Sequence, residues 1–193
     1  MPERFAVVVL AAGRSRRFGP RNKLLQPHRG RPLVGAPVAA ALRSQGSPVI
    51  VVTGHQQRAL RRAMLPWRVR LRLVFNRRHA SGMASSLQRG LAAVPADRDG
   101  AVIVLADMPA LRAHDIDRLI FSWQTGDSAV VPVSGGRRAN PVLLHRRLFA
   151  PLAALRGDRG ARGLLERLDS VREIAAPDDL LRDIDTPRDW RSR

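Results

Sequence analysis

Five short runs of aliphatic residues, each bounded by glycine, proline or polar residues, constrain the fold of this chain most strongly. The first is Phe5–Ala12, FAVVVLAA, and the others share its richness in valine, leucine and isoleucine. Such runs are typical of strands that are covered on both faces of a sheet. The later runs are Pro48–Gly54, Val69–Asn76, Ala101–Pro109 and Asp127–Ser134, with a weaker sixth at Asn140–His145.

Helical patterns separate these predicted strands. The stretch 32–46, PLVGAPVAAALRSQG, ends in a glycine as a helix stop does, and further patterns occupy 56–65, 83–94, 112–124, 146–155 and 159–168. Strand and helix alternate to about residue 125. This order predicts a single α/β domain with a mostly parallel sheet and helices on both faces. The glycines of Ser134–Arg138 predict a loop or hairpin with an antiparallel strand in the C-terminal part.

Arginine supplies almost all of the positive charge. The chain carries 34 lysines and arginines and a formal net charge of +18, yet Lys23 is its only lysine. A nucleic-acid-binding protein is therefore an alternative function. The arginines are spread over every segment and only 4% of the residues are aromatic, so we interpret the excess as composition bias. We expect an attraction for phosphorylated small molecules and no nucleic-acid partner.

The composition also limits the compartment and the chemistry. The 193 residues include no cysteine, which excludes disulfides, thiolate metal sites and a thiol nucleophile. No stretch reaches the roughly 18 apolar residues of a membrane span, and we find no signal peptide. We expect a cytoplasmic protein with no membrane partner, and a monomer.

The loop after the first strand is the first candidate site, because ligands bind at the carboxyl ends of parallel strands. Residues 11–13 are small and admit a ligand close to the backbone, Ser15 offers a hydroxyl, and Arg14, Arg16 and Arg17 can bind phosphate oxygens. The segment has neither the Walker A spacing nor the G-x-G-x-x-G fingerprint. On these residues alone, the loop either binds phosphate or only turns the chain.

Aspartates follow the fourth strand and lie near the C-terminus. Asp107 ends the strand and either caps the next helix or binds a cation. Asp183 and Asp185 are two residues apart, so in an extended segment they point the same way. Either one is a second cation ligand, or both belong to a solvated turn before Pro187.

The histidines and serines give weaker signals. We expect His55, His79 and His114 to be exposed, because none has a partner at metal-binding spacing. The serines of 81–86 lack the G-x-S-x-G context of a nucleophile, and we expect either Ser81 or Ser85 to cap the helix that follows.

The first loop carries a resemblance to a known family. LAAGRSRRFGPRNKLL resembles the signature L-A-[AG]-G-x-S-x-R-[MF]-G-x-x-K-x-L of the MobA-like nucleotidyltransferases. Four later segments, NRRHASGMASSLQRGL, LADMP, LRGDRGARGLL and DIDTPRDW, are similar to segments of the molybdenum-cofactor cytidylyltransferase subgroup, in the same order. Ala12, where the guanylyltransferase branch tends to have a second glycine, favours the cytidylyl branch. GRRANPV departs from the subgroup pattern at Ala139.

The resemblance implies a Rossmann-like three-layer α/β/α nucleotidyltransferase fold, with residues 1–110 binding the nucleotide and residues 111–193 the acceptor. It implies that Gly82 lets the chain approach the base and that Ser86 hydrogen-bonds it. The implied nucleotide-binding residues are Leu10, Ala11, Ala12, Gly13, Arg14, Ser15, Arg17, Lys23, Gly82 and Ser86. The implied acceptor-binding residues are Asn140, Pro141, Asp158 and Arg162, the implied metal ligands are Asp107 and Asp185, and the implied catalytic residues are Arg17, Lys23 and Asp107.

The implied reaction is transfer of CMP from CTP to the phosphate of molybdopterin, with release of pyrophosphate. The expected metal is Mg²⁺, with Mn²⁺ as an alternative, and molybdoenzymes or their chaperones are expected transient partners. Three alternatives stay open: guanylyl transfer to the same acceptor, transfer to another phosphorylated acceptor, and a nucleotide sensor without catalysis. Arg17 and Lys23 would offset charge on the leaving pyrophosphate.

Overall fold

The computed structural model describes residues 4–15, 18, 21–154, 162–177 and 180, with Arg162 described by its backbone only. Its strands are β1 (Phe5–Ala11), β2 (Pro27–His28), β3 (Arg31–Pro32), β4 (Val49–Thr53), β5 (Leu71–Phe75), β6 (Gly100–Leu105), β7 (Ala129–Ser134), β8 (Arg137–Arg138), β9 (Val142–His145) and β10 (Val171–Ala175). Its α-helices are α1 (Gly35–Arg43), α2 (Gln57–Ala63), α3 (Met83–Leu91), α4 (Ala113–Ser122), α5 (Phe149–Ala153) and α6 (Arg162–Leu165).

One sheet organises the domain, with the strand order β10–β7–β9–β6–β1–β4–β5 and β8 paired to β7. The pairs of β1 with β4 and β6, of β4 with β5 and of β7 with β10 are parallel. β9 is antiparallel to both β6 and β7. The expected mostly parallel sheet with an antiparallel strand in the C-terminal part is therefore confirmed. The expected hairpin is β7–β8, whose turn uses Gly135 and Gly136, both with positive φ.

Alternation of side chains along β1 builds two separate cores. Val7 and Val9 face one cluster with residues of α1 and α4, whereas Val8 faces a second cluster with residues of α3 and α5. All three valines are fully buried. Burying such a side chain completely stabilises the fold by about 1.5–3 kcal/mol, so the central strands anchor both helical layers, as expected.

The strand register places the carboxyl ends of β1, β4 and β6 side by side. Leu10 of β1 pairs with Leu105 of β6, and Ala11 pairs with Thr53 of β4. The loop after β1 therefore lies between the residues that follow β4 and those that follow β6. An open parallel sheet binds its ligands at the carboxyl ends of its strands.

The structure differs from the sequence prediction in two elements that were not predicted and in one strand boundary. β10 was not predicted, because its sequence VREIA carries two charged residues and lies at the sheet edge, where most of its side chains keep contact with water. β5 begins only at Leu71, since a 3₁₀ helix with Pro66 in its first turn occupies Leu65–Arg70. The short hairpin of β2 and β3 was also not predicted. Among the described residues, no helix is long and apolar enough to span a membrane.

We expect Gly100→Ala to lower the free energy of unfolding by about 2 kcal/mol. A Cβ at Gly100 would lie 2.2 Å from the carbonyl oxygen of Leu144 and 3.0 Å from the Cα of His145, both backbone atoms of the paired strand β9. Neither atom can move without breaking the ladder. Urea denaturation measures the change.

The matched control for this substitution is Gly163→Ala. Nothing lies within 4 Å of a Cβ at Gly163, which is in α6, so alanine there should stabilise the protein by up to about 1 kcal/mol. Equal unfolding midpoints for the two variants would contradict the close packing of β6 on β9.

Candidate active site

A cavity of about 310 Å³ opens at the carboxyl edge of the sheet, and we call it the first cavity. Four segments form it: the end of β1 with its loop, the turn at Lys23, the start of α3 with the residues before it, and the end of β6. The residues that line it are Leu10, Ala12, Gly13, Arg14, Ser15, Lys23, Leu24, His79, Ala80, Gly82, Met83, Ser86, Leu105, Ala106 and Asp107.

The loop after β1 is tied to the turn that presents Lys23. Ser15 adopts a positive φ of 52°, and its hydroxyl donates to Oδ1 of Asn22 at 3.4 Å. The same oxygen accepts from the backbone N–H of Leu24 at 3.1 Å and so caps the 3₁₀ helix Lys23–Leu25. Asn22 is buried, although sequence reasoning did not single it out. Its amide couples the two halves of the predicted phosphate loop.

Lys23 and Asp107 meet in the first cavity although 84 residues separate them in sequence. The Nζ of Lys23 lies 2.5 Å from Oδ2 of Asp107, and the two side chains are only 12% and 16% exposed. Opposite charges so shielded from water interact more strongly than a surface pair. The two residues implied to bind phosphate and metal are therefore adjacent.

Asp107 does not cap the helix that follows it. α4 begins at Ala113, and its N-cap residue is Arg112, whose backbone N–H donates to Asp115. The capping alternative for Asp107 is therefore wrong, and its carboxylate lies in the first cavity, where it pairs with Lys23.

The chemistry of this carboxylate fits a divalent cation that a nucleotide brings with it. Mg²⁺ and Mn²⁺ prefer oxygen ligands, and Mg²⁺ is usually held by one or two carboxylates together with substrate phosphates. No cluster of three or more histidines or carboxylates occurs among the described residues, so they offer no all-protein metal cage. Asp107 would hold the cation at the phosphates. Asp185, the second implied ligand, and Asp183 lie outside the described residues.

A buried hydrogen-bond network shapes the wall formed by residues 76–86. Asn76 Nδ2 donates to the hydroxyls of Ser85 and Ser86 at 2.9 and 3.1 Å. Ser85 in turn donates to the carbonyls of Arg78 and Gly82, both at 2.9 Å. Ser86 lines the first cavity and Ser85 does not.

Gly82 makes the turn from this loop into α3. Its φ of 105° is a conformation that L residues with a side chain rarely adopt, so glycine is required there. Gly82 itself is the N-cap of α3, without a side-chain cap. The expected serine cap is therefore wrong: the hydroxyls of Ser81 and Ser85 donate to carbonyls of the preceding loop.

His79 lies on the cavity wall, where sequence reasoning expected an exposed histidine. Its approach depends on Gly54, because a Cβ there would lie 2.5 Å from the Cβ of His79. Burial, with the nearby charges of Arg14 and His55, lowers the pKa of His79 below its ordinary value. The imidazole is therefore neutral at pH 7, and it adds no positive charge beside Arg14. A signal for its position was Gly54 directly after β4.

A second cavity of about 230 Å³ adjoins the first, and the two share Leu10, Met83 and Leu105. Its wall is mainly aliphatic, with Asn140 and Arg138 as its polar side chains among the described residues. Arg138 donates from Nε to Glu173 at 2.7 Å and from NH1 to the carbonyl of Leu165 at 3.0 Å.

The remaining predicted site residues lie apart or outside the described residues. Ala11 is fully buried in the core, and Pro141 lines a small cleft against α4 and β10 rather than either cavity. Arg17 and Asp158 lie outside the described residues, as does the side chain of Arg162.

The family of the chain follows from comparison with known sequences. Residues 7–171 match the family model described as MobA-like NTP transferase domain. Bifunctional protein GlmU of Rhizorhabdus wittichii is 33% identical over 176 residues, which cover 90% of this chain and 37% of GlmU. Purine catabolism protein PucB of Bacillus subtilis is 31% identical over 192 residues, 95% of this chain and 92% of PucB. The chain thus spans about a third of the first GlmU relatives, at 37% and 33% of their lengths.

Solved structures share the fold over nearly the whole chain. Rv0371c of Mycobacterium tuberculosis H37Rv is 30% identical with a TM-score of 0.84, covering 98% of this chain and 97% of its own. The same protein has been solved in complex with manganese, with a TM-score of 0.81 and 28% identity, covering 98% of this chain and 97% of that one. A nucleotidyl transferase from Methanothermobacter thermautotroptrophicus, Mth528, has a TM-score of 0.85 at 25% identity, covering 98% of this chain and 95% of that one.

Proposed function

This chain belongs to the MobA-like NTP transferase family, and we propose that it is a nucleotidyltransferase that transfers CMP from CTP to the phosphate of molybdopterin. The observation that carries the proposal is the Lys23–Asp107 pair at 2.5 Å within a cavity lined by the loop after β1. A carboxylate that can bind a cation and an ammonium that can bind phosphate, within hydrogen-bond distance of each other, suit a triphosphate with its metal.

The reaction needs few groups of the protein. An oxygen of the acceptor's phosphate attacks the α-phosphorus of CTP, the bond from that phosphorus to the β-phosphate oxygen breaks, and pyrophosphate leaves. The attacking phosphate is already anionic at pH 7, so no base has to remove a proton. Catalysis is therefore positioning and neutralisation of charge.

The residues of the first cavity divide this work. Lys23 and Arg14 bind phosphate oxygens and offset charge on the leaving pyrophosphate, and we assign the same task to Arg17. Asp107, with Asp185 as proposed second ligand, holds Mg²⁺ or Mn²⁺, which neutralises phosphate charge when bound. Gly13 leaves open space beside the loop, since nothing lies within 4 Å of a Cβ there.

The second cavity supports an acceptor site beside the nucleotide. It shares a wall with the first cavity, so an acceptor held there would reach the α-phosphorus. Asn140 supplies a polar contact from its rim, and Asp158 and Arg162 are proposed to complete it. The assignment of molybdopterin as the acceptor is supported by the four later segments that resemble the cytidylyltransferase subgroup, among them LRGDRGARGLL.

A pyrophosphate-release assay with purified molybdenum cofactor and each of the four NTPs tests the proposal. We expect release that depends on the cofactor and is fastest with CTP. A clear preference for GTP would overturn the cytidylyl assignment. Release only with a different phosphorylated acceptor would overturn the molybdopterin assignment. Nucleotide binding without release would identify a sensor.

A further inference from the structure

Asn76 is a buried amide directly behind the wall of the first cavity. It follows β5 and is 4% exposed. Its Oδ1 accepts from the backbone N–H of Arg78 at 2.9 Å, while its Nδ2 donates to Ser85 and Ser86. Turning the amide over would set its NH₂ group against a backbone N–H. The network therefore fixes the nitrogen toward the two hydroxyls.

This orientation determines what Ser86 offers to a ligand. A serine hydroxyl has one proton and two lone pairs. Asn76 occupies one lone pair of Ser86, and the proton is left for another partner. Ser85 donates its proton to loop carbonyls. Ser86 has no acceptor among the described residues and lines the first cavity. Ser86 is thus held as a donor toward whatever occupies the cavity.

We infer that Asn76 is a positioning residue for nucleobase selection, acting through Ser86. The inference rests on the proposed function in taking the first cavity as the nucleotide site and on the resemblance in taking Ser86 as the residue that meets the base. The pairing edge of cytosine presents two acceptors, O2 and N3, and one donor, the N4 amino group, whereas that of guanine presents two donors, N1–H and the N2 amino group, and one acceptor, O6. A hydroxyl whose proton needs an acceptor can pair with either acceptor of cytosine but only with O6 of guanine, which favours CTP over GTP.

Asn76→Asp reverses the polarity with almost no change in shape. The carboxylate can only accept, so the Ser86 proton turns toward residue 76 and the hydroxyl shows lone pairs to the base. The contact of Oδ1 with the Arg78 N–H is retained. We expect the ratio of CTP to GTP affinity to fall about tenfold or more, mainly through weaker CTP binding. Isothermal titration of the full chain with CTP and with GTP, in Mg²⁺ and without acceptor, measures both affinities.

Four further variants separate base selection from a structural effect. Ser85→Ala removes the other hydroxyl that Asn76 contacts and should leave the CTP:GTP ratio unchanged, because Ser85 does not line the cavity. Ser86→Ala should lower the ratio, and Asn76→Asp added to it should lower it no further. Asn76→Ala places no charge in the core, so it replaces the aspartate variant if that variant fails to fold. We expect its CTP:GTP affinity ratio to lie between those of the wild type and of Asn76→Asp.

The outcomes distinguish this inference from the proposed function. An Asn76 variant that weakens CTP and GTP equally, or that changes the ratio in the absence of the Ser86 hydroxyl, would overturn the inference alone. If the wild-type protein binds no nucleotide at all, the proposed function fails with it. If the wild-type protein prefers CTP but transfers it to another acceptor, only the molybdopterin assignment fails.

Discussion

Asp107→Asn is expected to lower the rate of nucleotidyl transfer by about 10³-fold, which corresponds to about 4 kcal/mol of transition-state stabilisation. The amide keeps the size of the carboxylate and can still accept from Lys23, so the wall of the cavity is preserved. It loses the negative charge that attracts a divalent cation. Pyrophosphate release at saturating CTP and acceptor measures the loss.

Asp97→Asn is the matched control for this substitution. The side chain of Asp97 is 55% exposed, pairs with Arg98 at 3.4 Å and lines neither cavity. Exposed ion pairs contribute little to stability, so we expect an unchanged rate. A rate for Asp107→Asn within a few-fold of that of Asp97→Asn would exclude Asp107 as a metal ligand. An increase in the Mg²⁺ concentration needed for half-maximal rate is a second expected effect.

Lys23→Arg is expected to lower kcat/KM for CTP by about 10²-fold, within the range seen when one preorganised donor to a reacting phosphate or oxyanion is lost. The charge is kept, so the loss is one of shape. The Nζ of Lys23 approaches Asp107 to 2.5 Å while its side chain is 12% exposed, which leaves little room for a wider group. A guanidinium is a planar fork, whereas an ammonium is a compact charge that fits among several phosphate oxygens.

The reverse exchange at a nearby position gives the control. Arg21 is exposed and lies two residues before Lys23, outside the lining of the first cavity. Arg21→Lys should leave kcat/KM unchanged. If Lys23→Arg also turns over at the normal rate, the single lysine of the chain has no functional meaning, and the clamp depends on charge alone.

The central strands were predictable from the sequence because each forms a compact, local signal. Runs such as FAVVVLAA are apolar at every position, and only strands covered on both faces require that pattern. β10 escaped prediction because an edge strand needs only one buried face, and its residues Arg172 and Glu173 hide the alternation. Local composition thus indicates burial, and prediction of a strand from composition fails where the strand is only partly buried.

The site residues divide in the same way. The loop after β1 was predictable from small and basic residues that follow a strand, and Asp107 from its place after another. Asn22 and Asn76 were not predictable, because an asparagine in a loop is ordinary and only its hydrogen bonds give it a role. His79 was expected to be exposed, since its one signal, Gly54 directly after β4, lies 25 residues away in sequence, and only the structure shows that this glycine makes room for the ring.

By itself the sequence determined the fold class, the family and the segments that contribute to the site, because these depend on local composition and on short spacings. Only the tertiary structure decided which side chains meet. Lys23 and Asp107 are brought together because β1 and β6 pair in parallel and in register, with Leu10 beside Leu105. Ser86 likewise accepts a hydrogen bond from an amide ten residues away in sequence. Such contacts arise from strand pairing and packing between distant segments, on which no local pattern depends.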